Sequence, residues 1–211
     1  LMLLDPGPAD DRHLDNVEAA ASEIGLPIDT VLCTHTHRDH SPGAALFAKR
    51  HPDVRLMGPA PLDDQLQDET WQPDQILKDG DILPLAHERQ LRVIATPGHV
   101  SNHLCFLLEP DGMLFSGDHL INGSTVVIAP PSGSMSHYLQ SLRNLQPLRI
   151  ETIAPGHGDL ISAPADAIAS TIAHRLKRED RVLDALQDST EAVTPGDLVK
   201  AVYEDVPPFL H

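Results

Sequence analysis

The stretch His35-Thr36-His37-Arg38-Asp39-His40 decides how the rest of the chain is read. It places three imidazoles and one carboxylate within six residues, directly behind the β-branched run Ile28–Cys33 and shortly before a helix predicted over Ala44–Arg50. In extended backbone, side chains two apart point the same way. His35 and His37 can therefore grip one cation, while Asp39 and His40, a step further round a turn, can face a second. Neutral imidazole and carboxylate suit Zn²⁺, with Mn or Fe as further candidates.

Outward from this loop, strands and helices interleave. Leu1–Leu4 reads as a strand stopped by Asp5-Pro6-Gly7-Pro8. Asp10 to Ile24 reads as a helix, with Leu14, Val17, Ala20, Ala21 and Ile24 at helical spacing and Gly25 in the stop position. Val54–Met57 is a strand, Asp63 to Asp74 is polar and irregular, and Lys78-Asp79-Gly80-Asp81 is a turn between strands. Leu91–Ala95 is a strand ended by Thr96-Pro97-Gly98-His99. His103–Leu108 and Met113–Ser116 form a hairpin around Glu109-Pro110-Asp111-Gly112. Ser136–Leu145 is helical, and Thr152–Ala154 is a strand ended by Pro155-Gly156-His157. A long helix runs from Pro164 to about Gln187, and Thr194-Pro195 opens a last one reaching Glu204.

The class is α/β, in layers. Four strands end in loops that carry potential ligands: His35 onward, His99, Asp118 and His157. If those ends share one sheet edge, His99 becomes a third ligand for the first cation and His157 one for the second. Asp118 is the candidate bridge, because a carboxylate has two oxygens to share. One tetrahedral ion would leave ligands over, so two are expected. Two adjacent cations lower the pKa of a water held between them and so provide a hydroxide at working pH. That hydroxide attacks a carbonyl or phosphoryl centre without a serine or cysteine nucleophile. Asp39 is also placed to take the water's proton.

Composition narrows the partners. The 211 residues carry 15 basic and 31 acidic side chains, a formal net charge of −16, which repels polyphosphate and anionic lipid. Aromatic residues are 3% of the chain, which leaves few platforms for stacking bases. Duplex nucleic acid and membrane are therefore not expected as partners, and a small molecule is. Cys33 and Cys105 lie in apolar strand-like runs and read as buried thiols of a reducing, cytoplasmic protein. No apolar run is long enough for a membrane helix, and Leu1-Met2-Leu3-Leu4 meets Asp5-Pro6-Gly7 too soon to be a targeting segment.

His35-x-His37-x-Asp39-His40, Thr96-Pro97-Gly98-His99, Ser116-Gly117-Asp118 and Pro155-Gly156-His157, in this order, resemble the metallo-β-lactamase superfamily over nearly the whole chain. The resemblance implies an αββα sandwich with a binuclear site at one edge. By position, His35, His37 and His99 match the first metal site, Asp39, His40 and His157 the second, and Asp118 the bridge. Diiron oxygen reductases of this fold carry Glu where His37 stands, and true metallo-β-lactamases carry Cys or Ser where Asp118 stands. The bridging Asp thus resembles the glyoxalase II, lactonase and nuclease side, with β-lactam turnover at most a weak side activity.

Thr125-Val126-Val127, Tyr138-Leu139-x-Ser141-Leu142, His174-Arg175, Arg178-Glu179 and Val182-Leu183 resemble the branch named for β-lactamase-like protein 2. Its animal member is a single-strand endoribonuclease. Thr194-Pro195-Gly196-Asp197-Leu198-Val199-x-x-Val202-Tyr203 looks like the start of that branch's small winged-helix-like tail. Superfamily chains usually place strands ahead of the one that ends in Asp-Pro-Gly. The expectation is therefore a catalytic domain over 1–162 without its N-terminal strands, and a partial helical tail over 163–211.

The function expected is binuclear, metal-dependent hydrolysis of an ester, thioester, lactone or amide. Two alternatives share the fold: a single-strand endoribonuclease using the same site, and a mononuclear iron sulfur dioxygenase using the first site and the Asp. Around the ligands, His119 and His103 are candidates to support Asp118 and its loop from behind. Tyr138, His174 and Arg178 are candidates to touch substrate, and Arg175 lies beside them. Trp71 lines the pocket or anchors its own loop.

Overall fold

A computed structural model describes residues 1–64, 66–187 and 192–202. The chain divides into two compact units, one spanning Leu1–Ala165 and the other beginning at Asp166.

The first unit holds two sheets. In the first sheet β1 (Met2–Leu4), β2 (Thr30–Leu32), β3 (Arg55–Gly58) and β4 (Gln75–Ile76) run parallel in that order. Parallel neighbours need crossovers, and α1 (Asp11–Ile24) and α2 (Pro42–Arg50) provide the first two. The Asp10 side chain accepts from the His13 N–H to start α1, and Gly25 at φ 76 stops it. Leu14 of α1 and Ala44 and Phe47 of α2 are buried with Val31, Cys33, Leu56 and Trp71. Both helices therefore cover one face of this sheet.

The opposite face contributes Leu32 and Met57 to a second core with Leu83, Leu91, Val93, Leu104 and Phe106 of the other sheet. That sheet runs β5 (Ile82–Pro84), β6 (Gln90–Ala95), β7 (Leu104–Glu109), β8 (Met113–Gly117) and β9 (Thr152–Pro155). Its strands are antiparallel except for the parallel pair β8 and β9. The period-two alternation of a strand sends Leu104 and Phe106 between the sheets and Cys105 and Leu107 to the far side. There α3 (Met135–Leu145) buries Tyr138, Leu139, Leu142 and Leu145, and Ser141 Oγ donates to the Pro97 carbonyl at the end of β6. The layers run helix, sheet, sheet, helix, the αββα sandwich expected.

Two details differ from the sequence reading. α2 begins at Pro42, because proline loses nothing in a first turn whose N–H groups have no helical partner. The pair β4 falls between the irregular stretch from Asp63 to Asp74 and the turn Lys78-Asp79-Gly80-Asp81, where the sequence marks no strand bounds, since two exposed residues carry no alternation to detect. The second unit contains the rest of α4 (Pro164–Gln187) and α5 (Pro195–Val202), where Arg178 and Arg181 both donate to the Val202 carbonyl. Tyr203, Glu204, the Pro207-Pro208-Phe209-Leu210 run and His211 lie outside the described residues. Among the described residues, no helix is long and apolar enough to cross a membrane.

Candidate metal centre

The edge where β1, β2, β6, β8 and β9 end carries every ligand expected from the sequence. Its geometry begins at Asp5, just past β1. One carboxylate oxygen of Asp5 accepts the Thr34 N–H at 2.7 Å, and the other accepts the Thr34 hydroxyl, also at 2.7 Å. The Thr34 proton is therefore committed to Asp5. Its oxygen can only accept from His35 Nδ1, 2.9 Å away, which leaves His35 Nε2 with a bare lone pair. His99 is set the same way: Nδ1 donates to the Val127 carbonyl at 2.6 Å, so its Nε2 also carries a lone pair. Both Nε2 atoms point at His37 Nδ1, from 3.0 and 2.9 Å. One proton on His37 can satisfy only one of them. Three converging nitrogens with at most one proton among them form a donor set that a cation completes.

Burial pushes His35 well below the ordinary histidine pKa, takes His37 down to about 4, and lowers His99 as well. All three are neutral at pH 7, the form that ligates metal.

The second group faces the first. His40 Nδ1 donates to Asp5 at 2.9 Å, which turns Nε2 toward Asp118 Oδ1 at 3.3 Å and Asp39 Oδ2 at 3.7 Å. His157 Nε2 lies 3.2 Å from Asp39 Oδ2 and 3.5 Å from Asp118 Oδ1. His40 Nε2 and Asp118 Oδ1 are buried, yet neither has a hydrogen-bond partner among the described residues. Orphaned buried polar atoms are costly unless something unites them, and a cation between them does so. Burial opposes a charge on His40, but the carboxylates of Asp118 and Asp5 outweigh it and raise its pKa to about 10. Asp118 joins the two groups, since its Oδ2 lies 3.7 Å from His99 Nε2. The ligand atoms of His35, His37 and His99, of Asp39, His40 and His157, and of His35, His40 and Asp118 each lie within 4.8 Å of one another. This donor set fits two divalent cations side by side.

The sequence profile of the metallo-β-lactamase superfamily matches residues 1–157. The chain belongs to the metallo-β-lactamase superfamily. It is 30% identical to a β-lactamase-like protein 2 homolog of Drosophila melanogaster, over 98% of the chain and 71% of that protein. It is 29% identical to an atrochrysone carboxyl ACP thioesterase of Aspergillus fumigatus, over 98% of the chain and 65% of that protein's length. A solved protein described in a di-iron-bound form is 26% identical, with a TM-score of 0.63 over 78% of this chain and 85% of that one. Thioesterase is the activity named for the Aspergillus fumigatus relative and for one of Emericella nidulans.

The remaining residues of this metallo-β-lactamase centre sort by contact. Asp5 is the one the sequence reading passed over as a strand stop. It stands at a strand end on the same edge as the ligands, and that signal was legible. His103 Nε2 accepts the Asp118 N–H at 3.2 Å, behind the carboxylate. His119 is fully buried with neither ring nitrogen hydrogen-bonded among the described residues, and its ring lies edge-on to Tyr138 at 4.9 Å. Tyr138 is itself buried and donates its hydroxyl to the His119 carbonyl at 2.8 Å, which ties α3 to the turn after β8. Trp71 is buried and donates to the Pro59 carbonyl, anchoring its loop. The neighbouring Gln67 accepts from Thr36 Oγ1, and Asp68 accepts from Ser41 Oγ, pinning that loop to the histidine-rich one. His174, Arg175 and Arg178 lie on α4 in the second unit.

Proposed function

We propose that the chain is a binuclear metal-dependent hydrolase of an acyl compound, with a thioester as the favoured bond and ester, lactone or amide as relatives of it. The observation that carries this reading is the pair of adjoining ligand groups that share Asp118, with Nε2 of His35, His99 and His40 aimed inward by hydrogen bonds on the opposite ring nitrogens. In this reading His35, His37 and His99 hold one cation, Asp39, His40 and His157 hold the other, and Asp118 faces both. Divalent cations held there, Zn²⁺ first among them and Mn or Fe next, supply Lewis-acid activation of water and of a substrate carbonyl near neutral pH.

The chain's own groups do the rest. Through Thr34, Asp5 keeps His35 in the tautomer that presents Nε2, and directly it turns the His40 ring so that Nε2 faces the centre. Asp39, exposed at the mouth of the site, offers the carboxylate oxygen to which a proton from water passes. Support for an acyl group comes from the mouth. Leu66 precedes Gln67, which bridges to His37; Val127 holds His99 through its carbonyl; Leu160 follows His157 by three residues. All three side chains are exposed. Their loops are tied together, Ser132 to Asp64 and Asn122 to the Leu160 carbonyl. An apolar rim on a chain of net charge −16 suits an uncharged acyl chain better than a phosphodiester. The thioesterase relative, aligned over 98% of the chain, points the same way.

The test is metal content by mass spectrometry on protein purified without added metal, beside a panel of ester, thioester and single-stranded RNA substrates. Two divalent ions per chain with acyl hydrolysis is the expected result. One iron per chain with oxygen consumption on a persulfide would mean the dioxygenase, and cleavage of RNA alone would mean the ribonuclease.

A further inference from the structure

His103 belongs to neither ligand group, yet it touches Asp118, which faces both, and His35 of the first. Its Nε2 lies 3.2 Å from the backbone nitrogen of Asp118, and since an amide N–H can only donate, Nε2 accepts. The ring proton then sits on Nδ1, 2.8 Å from Thr96 Oγ1. Thr96 accepts it and turns its own proton to Cys105 Sγ at 3.2 Å, and the Cys105 thiol donates onward to the Ser116 carbonyl at 3.6 Å. Every link has one allowed direction, because the run starts on a backbone N–H and ends on a backbone carbonyl. It leaves the chain at Asp118 and returns two residues earlier, with Thr96, His103, Cys105 and Ser116 all buried. Gly117, between the two ends, adopts φ 47, and a β-carbon there would stand 2.9 Å from His103 Nε2. Glycine is what lets both Thr34, 2.6 Å from that position, and the ring approach. The His103 ring also lies against His35, their centroids 5.1 Å apart and the planes tilted by 30°, and against His119 and His99 at 5.9 and 6.4 Å.

We propose that the closed run through His103, Thr96 and Cys105 is a positioning device that fixes the turn carrying Asp118, so that its carboxylate faces both ligand groups at once. His103 is a positioning residue and touches no substrate. The proposal rests on the metal-centre reading above, and its test separates the two.

Cobalt(II) reports ligand geometry in its visible spectrum, so metal-free full-length chain is titrated with Co²⁺ and no turnover is needed. His103→Leu removes both nitrogens at similar volume. Thr96→Val keeps shape but removes the acceptor that holds the Nδ1 proton, freeing the ring to present Nε2–H against the Asp118 N–H. His103→Gln puts an amide oxygen near the Nε2 position and keeps an acceptor for Asp118. The expected result is that His103→Leu and Thr96→Val bind Co²⁺ about 10–100-fold more weakly, the usual effect of losing a partner behind the ligands, with an altered spectrum. His103→Gln restores most of the affinity. Should His103→Leu fail to fold, Thr96→Val and His103→Gln carry the comparison. Wild-type affinity and spectrum in Thr96→Val and His103→Leu would overturn the device while leaving the metal centre standing. A wild-type chain that takes up no Co²⁺ would overturn the metal centre and the device together.

Discussion

Asp5 makes three hydrogen bonds from one carboxylate, to the Thr34 N–H, the Thr34 hydroxyl and His40 Nδ1. Through Thr34 it orients His35, and directly it orients His40, so one side chain sets a ligand in each group. Asp5→Ala should therefore weaken metal binding about 10–100-fold, as loss of a ligand's partner usually does. Metal content after gel filtration measures this, and wild-type content would show that the imidazoles hold their orientations unaided. Removal of a ligand should act more selectively. His157 is half exposed at the outer end of the second group, whereas His35 is fully buried in the first. His157→Ala should then take the metal stoichiometry from two toward one while the fold, read by circular dichroism, is unchanged. A stoichiometry still at two would assign His157 away from the centre.

The elements position the site through their ends. Gly98 lies between β6 and the ligand His99, with φ 155, and a β-carbon there would collide with the backbone of Tyr138 on α3. Gly98→Ala must push α3 away or twist His99 out of line. It should both lower thermal stability and reduce metal affinity, by calorimetry and metal titration on the same sample. On the other face α1 and α2 are joined by charge. Arg50 reaches Asp11, Asp15 and Glu18, and His51 Nε2 lies 2.9 Å from Glu18 Oε1. The hydrogen bond with His51 chiefly, helped by Arg50, holds the Glu18 carboxyl below its ordinary pKa. A carboxyl whose pKa is lower when folded adds stability above its unfolded value and loses it as pH falls through the folded one. Glu18→Gln should therefore narrow the gap in melting temperature between pH 7 and pH 3, with little effect on the pH 3 value. These charges are largely exposed, so the effect is small.

For the molecule as a whole, the two sheets place five strand ends on one edge, so the ligands they carry meet only in the folded chain. Ligands that bind only the folded state stabilise it by mass action, by about 2.7 kcal/mol when free metal is 100 times its dissociation constant. Chelation should accordingly lower the melting temperature, and Zn²⁺ or Mn²⁺ added back should restore it. Equal melting curves with and without chelator would count against a metal site formed on folding.

The ligand types and most elements were legible in the sequence. His35-Thr36-His37-Arg38-Asp39-His40 and the strand-end Gly-His and Gly-Asp pairs declare metal chemistry by residue type and local spacing. Hydrophobic periodicity and caps such as Asp10 and Gly25 mark where helices begin and end, because those signals act within a few residues. The short pair β4 escaped for the converse reason: it is held by its neighbour β3 and by nothing local. What only the tertiary structure decided are contacts between distant residues. Asp5 meets Thr34 across 29 positions and His40 across 35, and His103 meets Asp118 across 15. Hydrogen bonding at that range depends on how strands align across two sheets. That alignment chooses which nitrogen of each imidazole faces the metal, and a linear pattern of residue types carries no record of it.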